Sequence, residues 1–171
     1  SVGQGTDTVI ASATFRLHQQ LAEVEVLMTN DSAALTAINL FGSDHANTLI
    51  GNAGDNLLNG RGGNDFIYTG AGADTMDGGT GYDTFVLHKA MVADWQSGVL
   101  DADIASDIWL NWDAIQGSAG ADRIRTNSWG YAVELRGGGG HDVLATGLTG
   151  VVADILRGEA GKDKLKGGAG G

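Results

Sequence analysis

The amino-acid sequence predicts an all-β solenoid of short stacked strands joined by glycine-rich turns, and three observations lead there. The first is a nine-residue period. Aligned in nines, residues 42–86 read GSDHANTLI, GNAGDNLLN, GRGGNDFIY, TGAGADTMD and GGTGYDTFV, five units in phase without a gap. The second is composition: of 171 residues 29 are Gly, Pro and Cys are absent, and the 21 acidic residues divide into 17 Asp and 4 Glu. Asp and Gly tolerate the left-handed backbone of tight turns, whereas a helical surface would favour Glu. The third is the eighth position of each unit, apolar wherever a unit can be phased, between mixed or polar neighbours. That is the signature of a three-residue strand with one side chain pointing inward. Such a unit has no core of its own, so stability must come from stacking unit on unit.

The period extends beyond the first block. GSAGADRIR (117–125), GGGGHDVLA (137–145) and GEAGKDKLK (158–166) form a second series, separated by longer units at 126–136 and 146–157. GQGTDTVIA (3–11) carries the same Gly-x-Asp-x-apolar pattern, and GGAGG (167–171) reads as another unit cut short. Position eight holds Val9, Leu49, Leu58, Ile67, Met76, Phe85, Ile115, Ile124, Leu135, Leu144, Leu156 and Leu165. Position six holds Asn47, Asn56, Asp65, Asp74, Asp83, Asp122, Asp142 and Asp163, with Asp7, Asp113 and Asp154 in the irregular units. Residues 1–41 are read as degenerate N-terminal coils, 42–86 as the first regular block, 87–116 as an irregular linker coil and 117–171 as the second block. A single elongated domain is favoured over two solenoids joined by 87–116.

The same arithmetic excludes several functions. Without Cys there is no disulfide framework, thiolate zinc site or cysteine nucleophile. A net charge of −11 is wrong for a surface that must meet phosphate, so nucleic acid is not an expected partner. No apolar run reaches the roughly 18 residues of a membrane helix. No GxSxG is present, and the glycine-rich segments lack the Lys-Ser/Thr of a phosphate loop. The chain is therefore read as non-enzymatic.

What the turns do call for is a cation. Turns stacked at strand spacing would place carboxylates roughly 4.8 Å apart, which is repulsive unless a positive ion lies between them. A hard cation accepts backbone carbonyls beside carboxylates. Glycine turns let carbonyls converge, and one Asp per turn supplies the charge.

The units resemble the RTX (hemolysin-type) nonapeptide, Gly-Gly-x-Gly-x-Asp-x-apolar-x. GGTGYDTFV matches at every specified position and GGGGHDVLA nearly repeats the match, while residues 24–51 and 106–124 resemble that family's linker units. The resemblance implies a parallel β-roll, a right-handed β-helix in which two nonapeptides make one coil and turns 18 residues apart stack on one edge. It also implies several bound Ca²⁺, each held by carbonyls two and four and the Asp of one turn, with carbonyls one and three and the Asp of the next. On this chain the best match is Arg61, Gly63 and Asp65 with Gly78, Thr80 and Asp83. In the second block Ser118, Gly120 and Asp122 would face Gly137, Gly139 and Asp142, and Gly138, Gly140 and Asp142 would face Gly158, Ala160 and Asp163. Those spacings are 20 and 21 residues, so the longer units must loop out.

Departures from the pattern mark weaker positions. Asn47 with Asp65, and Asn56 with Asp74, lose a charge and are expected to bind less tightly or to sit at a capping end. His45 and Thr69 replace the preferred Gly and should reshape their turns. Val133 occupies position six of 126–136, so that turn should take no metal, while Asp154 is kept as a candidate in its irregular unit. Residues 87–112 lack the motif.

Other features have simpler readings. His18, His45, His88 and His141 are scattered without metal-ligand spacing. Asp101, Asp103 and Asp107 lack the Gly and closing Glu of an EF-hand and read as a solvated loop. Trp95, Trp109, Trp112 and Trp129 are taken as linker-coil core rather than a sugar-stacking surface, and Lys162, Lys164 and Lys166 as strand surface or edge protection. The expected function is a calcium-binding module of a secreted bacterial protein. It would fold after export by type I secretion machinery, and catalysis or adhesion would reside elsewhere in a parent chain. A role in a secreted protease, lipase or polysaccharide-modifying enzyme, or in an adhesin or surface layer, is the alternative; glycan binding has no support beyond the Trp residues. Nine of the 17 Asp occupy position six, and removing them changes the charge from −11 to −2. The acidity belongs to the turns.

Overall fold

The computed structural model describes residues 5–18, 24–68, 70–87, 112–126, 132–147 and 153–168, and the backbone of 92–94, 99–100 and 108–110. Its contacts divide the chain into two compact units, Ser1–Phe85 with Asp103–Trp112, and Val86–Ala102 with Asp113–Gly171. Among the described residues every regular element is a strand of two to four residues. No helix is long and apolar enough to cross a membrane.

In the first unit alternate nonapeptides enter opposite sheets. A strand and a glycine turn reverse the chain, so two units are needed to return to the same side. One sheet runs Thr8–Ala11, Val26–Thr29, Thr48–Ile50, Phe66–Tyr68 and Thr84–Val86; the other runs Phe15–Arg16, Leu40–Phe41, Leu57–Asn59, Thr75–Asp77 and Ile108–Leu110. The pairing is parallel and steps by one coil, with Leu49 beside Ile67 and Leu58 beside Met76. Val9 pairs with Leu27 at the same interval, which carries the period into the degenerate N-terminal coils. The predicted inward residues Leu49, Ile67 and Phe85 from one sheet meet Leu58 and Met76 from the other, and Leu27 and Leu40, which the repeat did not mark, extend the two rows; none is more than 1% exposed. Each such side chain contributes about 1.5–3 kcal/mol on burial.

The second unit repeats the scheme with longer coils. Ala114–Gln116, Glu134–Arg136 and Ile155–Arg157 form one sheet, and Val92–Asp94, Arg123–Arg125, Val143–Ala145 and Lys164–Lys166 the core of the other. Ile115 pairs with Leu135 and Leu135 with Leu156, while Ile124 pairs with Leu144 and Leu144 with Leu165. Intervals of 20 and 21 therefore keep the apolar row in register. Segments 127–131 and 148–152 of the longer units, where the surplus residues were expected to loop out, lie outside the described residues. Ile115, Leu135, Ile124 and Leu144 are fully buried, whereas Leu165, on the last strand of its sheet, is 48% exposed. Glu134 accepts from Arg136 Nε at 2.9 Å and from Arg157 Nε at 2.7 Å, tying neighbouring strands together.

Residues 87–112 lack the repeat yet supply strands to both units. Ile108–Leu110 pairs parallel with Thr75–Asp77, and Val92–Asp94 with Arg123–Arg125 and antiparallel with Val99–Leu100. Trp112 is buried, its ring centroid 6.3 Å from that of Phe85, in agreement with the core reading of that residue. Trp95, Trp129, His88, Asp101, Asp103, Asp107 and Thr69 lie outside the described residues, as does the side chain of Trp109.

Candidate metal centre

The turns stack so that the side chains of Asp65, Asp74, Asp83, Asp142 and Asp163 reach back to the coil before. Asp65 Oδ1 accepts the Asn47 N–H at 2.7 Å, Asp74 Oδ1 the Asn56 N–H at 2.8 Å and Asp83 Oδ1 the Asp65 N–H at 2.9 Å. In the second unit Asp142 Oδ1 accepts the Asp122 N–H at 2.8 Å, and Asp163 Oδ1 the Asp142 N–H at 3.0 Å. The structure therefore brings together Asp65 with Asp83, Asp122 with Asp142, and Asp142 with Asp163. These carboxylates are held by main-chain donors at coil spacing, and Asp65, Asp74, Asp83, Asp122 and Asp142 are buried.

One oxygen of the pair is thereby committed; the other is the chemically informative one. Oδ2 of Asp65 and of Asp142 is buried and accepts no hydrogen bond. A Cβ built on Gly60 would collide with Asp65 Oδ2 and lie 2.7 Å from the Gly78 carbonyl oxygen. The same construction on Gly137 meets Asp142 Oδ2 and the Gly158 carbonyl oxygen, the latter at 2.7 Å. Glycine at position one thus leaves a gap walled by the carboxylate of its own turn and a carbonyl of the next coil. A buried carboxylate oxygen without a donor is costly unless a cation completes it. Burial pushes the Asp65 carboxyl up to about 7, opposed by its bond from the Asn47 N–H and assisted by the Asp83 carboxylate. All the converging groups are hard oxygens, the donor set Ca²⁺ prefers.

The remaining expected ligands fall nearby with prior engagements. The carbonyls of Arg61, Ser118 and Gly138 accept the N–H of Thr80 at 2.8 Å, Gly139 at 2.9 Å and Ala160 at 2.9 Å. A Cβ on Gly81 would strike the Gly63 carbonyl, one on Gly140 would lie 2.7 Å from the Gly120 carbonyl, and one on Gly161 would strike the Gly140 carbonyl. Position-four carbonyls therefore stack coil under coil. Asn47 and Asn56 differ from the Asp turns: their Oδ1 atoms accept the N–H of Ser43 at 2.7 Å and Asn52 at 2.9 Å within the turn. Asp122 Oδ2 likewise accepts the Ser118 N–H at 2.7 Å. Asp154 Oδ1 accepts the Val133 N–H at 3.1 Å, so the irregular row keeps the ladder bond without a carboxylate at Val133. Among the described residues no group of three His, Asp or Glu side chains converges as a metal cluster.

Two features escaped the sequence reading. Glu25 lies one coil after Asp7 and its Oε2 accepts the Asp7 N–H at 2.7 Å, a Glu standing in for the ladder Asp. The interval of 18 was the available signal. Arg61 and Glu159 adopt positive φ, 74° and 65°, at a turn position where Gly70, Gly79 and Gly138 do the same; their residue types carry no sign of it.

Comparison with known families finds the RTX calcium-binding nonapeptide repeat in four copies, at residues 41–76, 50–85, 111–128 and 150–171. No curated protein matches the chain. The matched copies cover the turns at 42–83, 117–122 and 158–163, and GGGGHDVLA at 137–145 continues the pattern between the two later copies. Period, stacked parallel strands and oxygen-lined turns lead to one conclusion: the chain belongs to the RTX calcium-binding nonapeptide-repeat family, and its repeats bind Ca²⁺.

Proposed function

We propose that this chain is the calcium-folded β-roll module of a larger secreted bacterial protein, exported by type I secretion machinery and contributing structure rather than catalysis. The observation that carries the reading is the pair of buried carboxylate oxygens, Asp65 Oδ2 and Asp142 Oδ2, each facing a carbonyl of the next coil without a donor. Ca²⁺ would be held in the first unit by Asp65, Asp83 and the carbonyls of Arg61, Gly63, Gly78 and Thr80. In the second unit the corresponding set is Asp142, Asp163 and the carbonyls of Gly138, Gly140, Gly158 and Ala160. Two carboxylates and four carbonyls provide six oxygens, within the range the ion takes. When bound, the ion supplies the positive charge that the stacked turns lack.

Everything else is done by the chain. The ladder N–H bonds orient each carboxylate, the position-one glycines clear the gap, and the position-eight row closes behind it. In calcium-poor surroundings the uncompensated charges oppose stacking, so the chain stays expanded and fit for export. Outside the cell, metal binding adds directly to folding free energy. Circular dichroism of the chain during a calcium titration tests this: β-structure should appear between about 10⁻⁴ and 10⁻³ M, the range of extracellular modules. A chain fully β-structured in chelator would overturn it.

A further inference from the structure

Three turns are built differently from the others. At position two, φ is positive in the turns beginning at 60, 69, 78, 137 and 158, where the residues are Arg61, Gly70, Gly79, Gly138 and Glu159; it is not positive at Ser43, Asn52 or Ser118. In the latter three the position-two N–H donates to the side-chain oxygen at position six of the same turn: Ser43 to Asn47 at 2.7 Å, Asn52 to Asn56 at 2.9 Å, Ser118 to Asp122 at 2.7 Å. The position-two side chain adds a second bond to the position-six side chain. Ser43 Oγ donates to Asn47 Oδ1 at 3.1 Å, Ser118 Oγ donates to Asp122 Oδ2 at 3.0 Å, and Asn52 Oδ1 accepts from Asn56 Nδ2 at 2.9 Å. The same side chains accept the position-four N–H of His45, Gly54 and Gly120 at 3.0–3.2 Å. One pattern recurs in three turns, two in consecutive units of the first block and one in the second. In the turns of Asp65 and Asp142, by contrast, the equivalent oxygen accepts nothing.

Each of the three is also the first turn of its row within a regular block. Turn 42 precedes turns 60 and 78, turn 51 precedes turn 69, and turn 117 precedes turns 137 and 158. Their outward groups are met by the chain itself. The Arg61 guanidinium donates to the carbonyls of Gly42 at 3.1 Å and Leu17 at 3.2 Å, and Gln116 Nε2 donates to the Gly117 carbonyl at 3.3 Å. Asn47 Nδ2 and Asn52 Nδ2 donate to the carbonyls of Val24 at 2.8 Å and Thr36 at 2.9 Å.

We infer that Ser43, Asn52 and Ser118 determine which turns take calcium: a Ser or Asn at position two closes its turn on the position-six oxygen, so the turn keeps its shape without an ion and starts the row. A left-handed residue at position two, usually Gly, turns its N–H away and leaves that oxygen to the metal. The inference rests on the calcium reading above. It makes Asp122 a structural residue despite its match to the repeat, and it makes position two, beside position six, the determinant of ion number.

Isothermal titration of the full chain with Ca²⁺ tests this. Ser118→Gly removes the hydroxyl and permits positive φ, and should take up one more ion per chain than the wild type. Ser118→Asn, which can reproduce the Asn52 arrangement, should leave the number unchanged. Equal ion numbers for wild type and a folded Ser118→Gly chain overturn the inference. If Ser118→Gly does not fold at saturating calcium, a crystal structure of the calcium-saturated wild type decides. Ions on Asp65 Oδ2 and Asp142 Oδ2 with none on Asp122 Oδ2 support it, and an ion on Asp122 Oδ2 overturns it. A wild type that takes up no calcium overturns the calcium reading itself, a separate outcome.

Discussion

At the scale of the residue, Asp65 shows how one carboxylate opposes and then supports the fold. It is fully buried, one oxygen is held by the Asn47 N–H, and its carboxyl is pushed up to about 7 by burial. Without metal, a folded-state value above the ordinary 3.8 means that the folded form binds the proton more tightly than the unfolded one. That contribution is complete below the ordinary value and lost as pH rises through about 7. Metal-free chain should therefore gain β-structure and melt higher as pH falls from about 8 to about 5; a melting temperature that falls over this window would contradict the assignment. Asp65→Asn should act in opposite directions in the two states. In chelator, loss of the buried charge leaves stability equal or higher. In calcium, the affinity of the first-unit centre should drop at least about tenfold, equivalent to ~1.4 kcal/mol. Paired thermal melts and titrations read both signs.

At the scale of the element, nine residues are one three-residue strand and one six-residue turn, and a single inward side chain serves each strand. Ile67 has neighbouring strands on both sides and is fully buried, so Ile67→Ala should cost about 2–5 kcal/mol in calcium. Leu165 occupies the same repeat position but lies on the last strand of its sheet, 48% exposed, and Leu165→Ala should cost under about 1 kcal/mol. Chemical denaturation of the two variants at saturating calcium checks the contrast, which equal costs would refute. The turn is as demanding as the strand. Gly60→Ala places a methyl group against Asp65 Oδ2 and the Gly78 carbonyl, in the gap where the metal oxygens converge. It should abolish calcium uptake at that centre while leaving the centre of Asp142 and Asp163 intact, as measured by the ion count in titration.

At the scale of the whole molecule, the balance between net charge and bound ions sets the folded state. A charge of −11 concentrated in stacked turns disfavours compaction until cations arrive. Removing calcium should therefore increase the hydrodynamic radius reversibly. Mg²⁺ demands near-ideal octahedral geometry and dehydrates reluctantly, so it should not replace Ca²⁺ at equal concentration. Size-exclusion chromatography in chelator, calcium and magnesium reads this directly, and full compaction by Mg²⁺ would rule it out.

The sequence by itself determined the period, the inward row and the ladder of position-six residues, because each depends on spacing along a chain whose units repeat. Leu49, Ile67 and Phe85 are buried for the reason that predicts them: a period of nine, two to a coil, returns position eight to the same wall every 18 residues. The need for a cation followed from the same spacing, and calcium from the resemblance of the units to the RTX nonapeptide. Which turns stand open was decided only by the tertiary structure. Asp65 and Asp122 occupy equivalent positions in matching units, yet Asp65 Oδ2 accepts nothing while Asp122 Oδ2 is bonded by Ser118. That distinction turns on the sign of φ at a single residue. Arg61 and Glu159 adopt the positive value without being Gly, so residue type alone does not reveal it. The longer coils of the second unit were settled in the same way: 20 and 21 residues close the same loop as 18 because parallel pairing, and not chain length, fixes where each strand lies.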